Sequence, residues 1–151
     1  MRLVVQRVSS ASVTVGASRV ASIGLGLLVL VGIAPTDEPA DVAVAARKLP
    51  VLRLFPDDSG AMNRSLVEVG GSILAVSQFT LLADVTKGRR PSFTAAAPPE
   101  TAAPLFEELV ERIAAGGVTV ESGVFGALME VELVNDGPVT LILEISRGRI
   151  L

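Results

Sequence analysis

The sequence predicts a single α/β domain, spanning residues 1–151, in which mixed and antiparallel strands curl into a barrel-like sheet carrying two main helices. Three observations lead there. The chain has 151 residues, half of them hydrophobic and 19% charged, enough for one full core and too few for two independent domains. Short apolar runs bounded by Gly, Pro and Asp recur along the whole length, the mark of many strands. Only two segments space their apolar residues helically, and two helices cannot cover both faces of a large sheet. Either the sheet curls on itself or a second subunit covers it.

Taken in order, residues 3–8 read as a first strand, and residues 12–15 and 18–23 flank Gly16-Ala17, a hairpin turn. Residues 27–31 lack polar alternation, which predicts a strand buried on both faces. Thr36-Asp37-Glu38-Pro39 then supplies a cap and a first-turn proline. Val42, Ala45, Ala46 and Leu49 recur at helical spacing until Pro50 stops them. Residues 51–55 return to strand, and Pro56-Asp57-Asp58-Ser59-Gly60 is a turn. Residues 66–69 and 73–79 read as arms of a hairpin about Gly70-Gly71, and residues 83–93 are polar and basic. Pro98-Pro99-Glu100 opens a second helix with a stripe of Leu105, Phe106, Leu109, Val110 and Ile113, which Gly116-Gly117 ends. Residues 118–121 and 129–134 are further strands, Asn135-Asp136-Gly137-Pro138 a turn, and residues 139–145 the last strand. Residues 26–31 and 71–76 echo one another, each being an apolar strand followed by a helix and a further strand.

The absences narrow the chemistry. With no Cys, His, Trp or Tyr, the chain has no parts for disulfides, thiol nucleophiles, Cys/His zinc sites or histidine general bases. Catalysis, if any, falls to carboxylates, hydroxyls, Lys/Arg, backbone amides or the substrate. Thirteen Lys+Arg against sixteen Asp+Glu leave a net charge of -3, which argues against nonspecific coating of nucleic acid but allows a local basic patch. The longest apolar run, residues 25–34, is too short to cross a bilayer, despite a mean hydropathy of +0.58. Charges interrupt the first seven residues, so no secretory signal is expected and the protein is placed in the cytoplasm.

Three stretches hold residues that a core does not require. Ser77-Gln78-Phe79-Thr80-Leu81 ends an apolar strand with two hydroxyls and an amide; these either satisfy turn amides or face a ligand. Lys87, Arg89 and Arg90 concentrate positive charge beside Gly88, as a solvated loop or as a phosphate seat. Asn135-Asp136-Gly137-Pro138-Val139-Thr140 is either a plain turn or, through an X-Pro bond that adopts cis readily, a way of aiming a carbonyl. A non-enzymatic RNA-end binder and a carboxylate-based small-molecule hydrolase remain open on these residues alone.

With these blocks, the chain resembles the D-aminoacyl-tRNA deacylase (D-tyrosyl-tRNA(Tyr) deacylase) family essentially end to end. The opening strand Met1-Arg2-Leu3-Val4-Val5-Gln6-Arg7-Val8, Ser77-Gln78-Phe79-Thr80-Leu81, residues 87–93, Gly123-Val124-Phe125-Gly126 and residues 135–140 carry the resemblance. It implies the family's fold and an enzyme that hydrolyses the ester joining a D-amino acid to the 3'-terminal adenosine of tRNA. Achiral glycine on tRNA is expected to be accepted too. It implies a homodimer with no metal or other cofactor, bound to the acceptor end of aminoacyl-tRNA, with no membrane or DNA partner. Ser77, Gln78, Phe79 and Thr80 would form the catalytic wall, and Phe125, Gly126 and Met129 would meet the adenosine. A cis Gly137-Pro138 would enter the neighbouring subunit's pocket to exclude L-amino acids. Lys87, Arg89 and Arg90 would meet tRNA phosphates. Val85-Thr86 stands where the family commonly has Thr-Arg, and Leu128 where an acidic residue is frequent, which bears on one phosphate contact and on the rim before Met129. Pro50 lies at a helix end, where it is tolerated. Residues 144–151, with Arg147 and Arg149, receive no role.

Overall fold

A computed structural model describes residues 1–151. Seven strands form one sheet: β1 (Arg2–Val15), β2 (Ser18–Ile23), β3 (Gly26–Gly32), β6 (Ser72–Ser77), β7 (Val120–Ser122), β8 (Glu130–Ser146) and β9 (Arg149–Ile150). Their order is β7-β6-β3-β1-β8-β9, with β2 paired to β1. A separate small ribbon pairs β4 (Phe55–Pro56) with β5 (Met62–Arg64). Helices α1 (Pro39–Lys48) and α2 (Pro99–Ala115) complete the chain.

The long strands produce the curl. The first half of β1 pairs with β3 and its second half with β2, while β8 follows β1 along its other side from Glu144 back to Glu130. Register breaks near Val8 and between Val13 and Thr14 bend this ribbon, as bulges do. Two apolar clusters result. In the larger, Leu3, Val5, Leu27, Val29, Ile73 and Ala75 face α1 and α2, which contribute Val42, Ala45, Phe106, Leu109 and Ile113. In the smaller, Leu28, Leu74 and Val76, on the opposite face of the same strands, meet Val8, Val13, Ala21 and Ile23. Strand β3 is therefore buried on both faces, as its unbroken apolar run predicts.

Several boundaries differ from expectation. Residues 3–8 and 12–15 are one strand, and residues 129–134 and 139–145 merge into β8, so Asn135 to Pro138 lie inside a bulged strand rather than a turn. Residues 51–55 are not a strand: Leu49–Val51 is a 3-10 turn, and pairing begins only at Phe55. Residues 66–69 turn back without pairing, because Ser65 and Glu68 hydrogen-bond each other locally. The echo of residues 26–31 and 71–76 is a shared topology in which residues 51–55 take no part. Strand β6 lies parallel to β3, and β7 parallel to β6, so the strand paired with β3 after α1 is β6, not residues 51–55. The tail enters the sheet: β9 folds back on β8, and the amide of Gly148 donates to buried Asp41 Oδ1 at 2.7 Å.

Candidate active site

Strand β6 ends at Ser77, and the chain passes through Gln78 into a four-residue 3-10 turn, Phe79–Leu82. This end forms one wall of a cavity of about 600 Å³. Val31, Val76, Ser77, Gln78 and Phe79 line that wall; Phe93 and Pro98 form a second; Phe125, Gly126, Leu128 and Met129 form the third. Phe79 and Phe93 meet edge to face at 5.1 Å between centroids, and Phe125 is held against Phe106 of α2 at 6.2 Å. None of the eighteen lining residues carries an ionisable side chain. A carboxylate-based hydrolase therefore has no general base in this cavity.

Polarity comes from neutral groups. Gln78 Nε2 donates to Thr80 Oγ1 at 2.5 Å, orienting the hydroxyl. The first N–H groups of a helical turn have no acceptor within it, and here those positions belong to Phe79 and Thr80. Ser77, Gln78, Phe79, Phe125, Gly126 and Met129 thus share one cavity, with Thr80 at its edge but not among the lining residues.

Gly137 and Pro138 lie elsewhere, on β8, and line no part of their own chain's cavity. Their peptide bond is cis. The flanking residues fix the segment: Asn135 Oδ1 accepts from Val139 N at 3.1 Å, and Asn135 Nδ2 donates to Thr140 Oγ1 at 3.0 Å. Beneath it runs Arg7, only 8% exposed. Its Nε lies 3.0 Å from Asp136 O and 3.2 Å from Asp136 Oδ2, and its Nη1 donates to Leu54 O at 2.5 Å. Sequence reasoning placed Arg7 only within the opening strand. Its signal is a cation at an inward position of an otherwise apolar run, where burial demands partners.

Lys87, Arg89 and Arg90 are exposed on the loop between the 3-10 turn and α2 and make no ion pair. Reciprocal backbone bonds of 2.8 Å between Asp84 and Ser92 close the loop's base, one residue from Phe93 at the cavity. The Asp84 carboxylate accepts from the Thr86 amide at 2.9 Å. Backbone and side-chain hydrogen bonding from Thr86 holds this carboxyl below its usual pKa, so the ionised turn persists at neutral pH and its stabilisation is lost only as acid protonates Asp84. No cluster of three or more potential metal ligands occurs in the molecule.

The profile of the D-Tyr-tRNA(Tyr) deacylase family matches residues 4–144. The chain belongs to that family. Membership makes it a deacylase, a hydrolase acting on ester bonds. A D-aminoacyl-tRNA deacylase of Chlorobaculum parvum is 59% identical over 95% of this chain and 97% of that protein. One of Bacillus licheniformis is 56% identical over 95% and 98%. Among solved structures, a c-Myc DNA unwinding element binding protein superposes with a TM-score of 0.88 at 41% identity, covering 95% of this chain and 98% of that one. A probable eukaryotic D-amino acid tRNA deacylase superposes at 0.77 with 21% identity, covering 93% and 97%, and supports the deacylase fold. No helix is long and apolar enough to cross a membrane.

Proposed function

We propose that this deacylase hydrolyses the ester of D-aminoacyl-tRNA, glycyl-tRNA mischarged on tRNA(Ala) included, releasing free amino acid and tRNA in the cytoplasm. The observation that carries the reading is the cavity of neutral walls ending in the turn at Phe79 and Thr80. An aminoacyl ester is already activated, so preorganised donors suffice where an acid–base pair is missing. One oxyanion donor is worth about a hundred- to thousandfold. The amides of Phe79 and Thr80 serve as those donors, and the ribose 2'-OH beside the ester positions water. The Thr80 hydroxyl, with no base to take its proton, is a weak nucleophile and orients rather than attacks. Phe125, Gly126 and Met129 receive the adenosine. No metal or other cofactor enters this scheme, and neither a membrane nor DNA is a partner.

Selectivity comes from a second copy of the chain. From Glu130 to Leu143 the outer edge of β8 pairs with no strand of its own protomer, and Val134 and Ile142 beside it are 57% and 66% exposed. Such edges seek a partner. In a homodimer Gly137 and Pro138 of one protomer enter the other's cavity and fill the space an L side chain would need; a D side chain points away and is tolerated whatever its size.

Purified protein incubated with D- and L-tyrosyl-tRNA(Tyr) is expected to release D-tyrosine and leave the L ester intact, with Thr80→Ala within about tenfold of the parent rate. Release from neither substrate, or equally from both, refutes the reading. Lys87, Arg89 and Arg90 hold acceptor-stem phosphates, each contact contributing roughly 0.7–0.9 to the slope of log affinity against log salt. Replacing all three with alanine lowers that slope by about 2–3 in a filter-binding titration. An unchanged slope removes the loop from the interface.

A further inference from the structure

We infer that Arg2, oriented by Glu144, is a positioning residue for the reaction, acting on the Phe79–Leu82 turn from behind. The inference rests on the reading of that turn as the seat of the reacting amides. The sheet sets up the contact. Arg2 is registered opposite Gly32 on β3 and opposite Glu144 on β8, so the three residues form a row across the sheet. The turn lies over the Gly32 end of that row. A Cβ at Gly32 would stand 3.1 Å from Leu81 Cβ and 3.2 Å from Gln78 O, so the glycine's missing side chain makes the close approach possible. Arg2 Nη1 then donates to Leu81 O at 2.6 Å, while Arg2 Nε is held by Glu144 Oε1 at 2.5 Å.

The Leu81 carbonyl is one of those that a short helical turn leaves without an internal acceptor role, and Phe79 and Thr80 supply the free N–H groups at its opposite end. Over four residues the turn has little freedom to flex, so fixing its last carbonyls fixes the direction of its first amides. A flexible arginine alone would hold that carbonyl poorly. The carboxylate on the neighbouring strand removes the rotamer freedom that the contact would otherwise cost. Both side chains are partly exposed and line no part of the cavity, so neither reaches an ester held there. Small displacements of reacting groups cost up to about a hundredfold in rate, and loss of one clamp out of several contacts is expected to cost about tenfold.

The test uses steady-state kinetics on D-tyrosyl-tRNA(Tyr) with Arg2→Met, Arg2→Lys and Glu144→Gln. Arg2→Met keeps the stem and loses the donors; kcat is expected to fall about tenfold with KM within twofold. Arg2→Lys, which keeps a donor within reach, recovers at least part of that loss, and Glu144→Gln falls between. A kcat for Arg2→Met within twofold of the parent overturns the clamp, as does a raised KM at unchanged kcat, which would make Arg2 a phosphate contact. A fall in kcat that Arg2→Lys does not relieve at all also overturns it. Thr80→Pro, which removes one amide, separates the two ideas. If it is inactive while Arg2→Met runs at full speed, only the clamp fails; if it is fully active, the amide reading fails and the clamp fails with it.

Discussion

Gly137→Ala is expected to lower the preference for D- over L-aminoacyl-tRNA by at least about tenfold. Gly137 has φ +130, a conformation that L residues rarely adopt. An added Cβ would stand 2.8 Å from Val139 Cγ2 and 3.0 Å from both Val139 N and Arg7 Nη2. Strain of this kind costs about 1–3 kcal/mol unless it is relieved. Relief has two routes: the backbone rotates, or Arg7 gives up its grip on Asp136 and Leu54. Either one displaces Pro138, and about 1.4 kcal/mol of lost exclusion corresponds to the tenfold. The measurement is the ratio of initial ester-hydrolysis rates on matched D- and L-tyrosyl-tRNA. An unchanged ratio in a folded Gly137→Ala protein means that this segment does not sort the substrates.

Asp41→Ala is expected to lower the melting temperature by about 6–12 °C, although Asp41 lies outside both apolar clusters. The Asp41 carboxylate is fully buried and takes part in no ion pair. It is held instead by backbone donors. Its Oδ2 accepts from Glu38 N at 3.0 Å at the start of α1, and its Oδ1 from Gly148 N in the β8–β9 turn. Bonds to a charged acceptor contribute about 1.5–3 kcal/mol each, and truncation leaves the Gly148 donor unsatisfied. A loss near 3 kcal/mol, at roughly 2–4 °C per kcal/mol for a chain of this length, gives the stated range. Thermal unfolding followed by circular dichroism checks it, and a shift below 2 °C would show that water replaces the carboxylate without cost.

Which features were legible in the sequence follows from how local their causes are. Strand β3 and helix α2 were readable because five consecutive apolar residues and a 3.6-residue stripe report burial directly. The cavity wall at Ser77 to Phe79 was legible as polar groups at the end of an apolar strand. The resemblance then tied it to Phe125 and Met129, forty-six and more residues away in the chain. Residues 51–55 misled because Leu52 and Leu54 are apolar for packing rather than pairing, while Val51 is exposed and belongs with Pro50 to a 3-10 turn. Asn135 to Pro138 misled in the opposite sense. Turn-forming residues sit in a strand because Asn135 and Arg7 supply from side chains the bonds that the irregular ladder lacks. Asp41, Glu144 and Arg2 were illegible, since their partners lie 107, 142 and 79 residues away and only the closed sheet brings them together.

The uncharged lining of the cavity has a pharmacological side. Reagents that silence enzymes by capturing a thiolate or an imidazole find no such group anywhere in this chain, and the cavity offers them no lysine or carboxylate instead. A blocker of this site would have to work by fit alone, matching the run of the main chain, and resistance to it would have to come from moving that main chain.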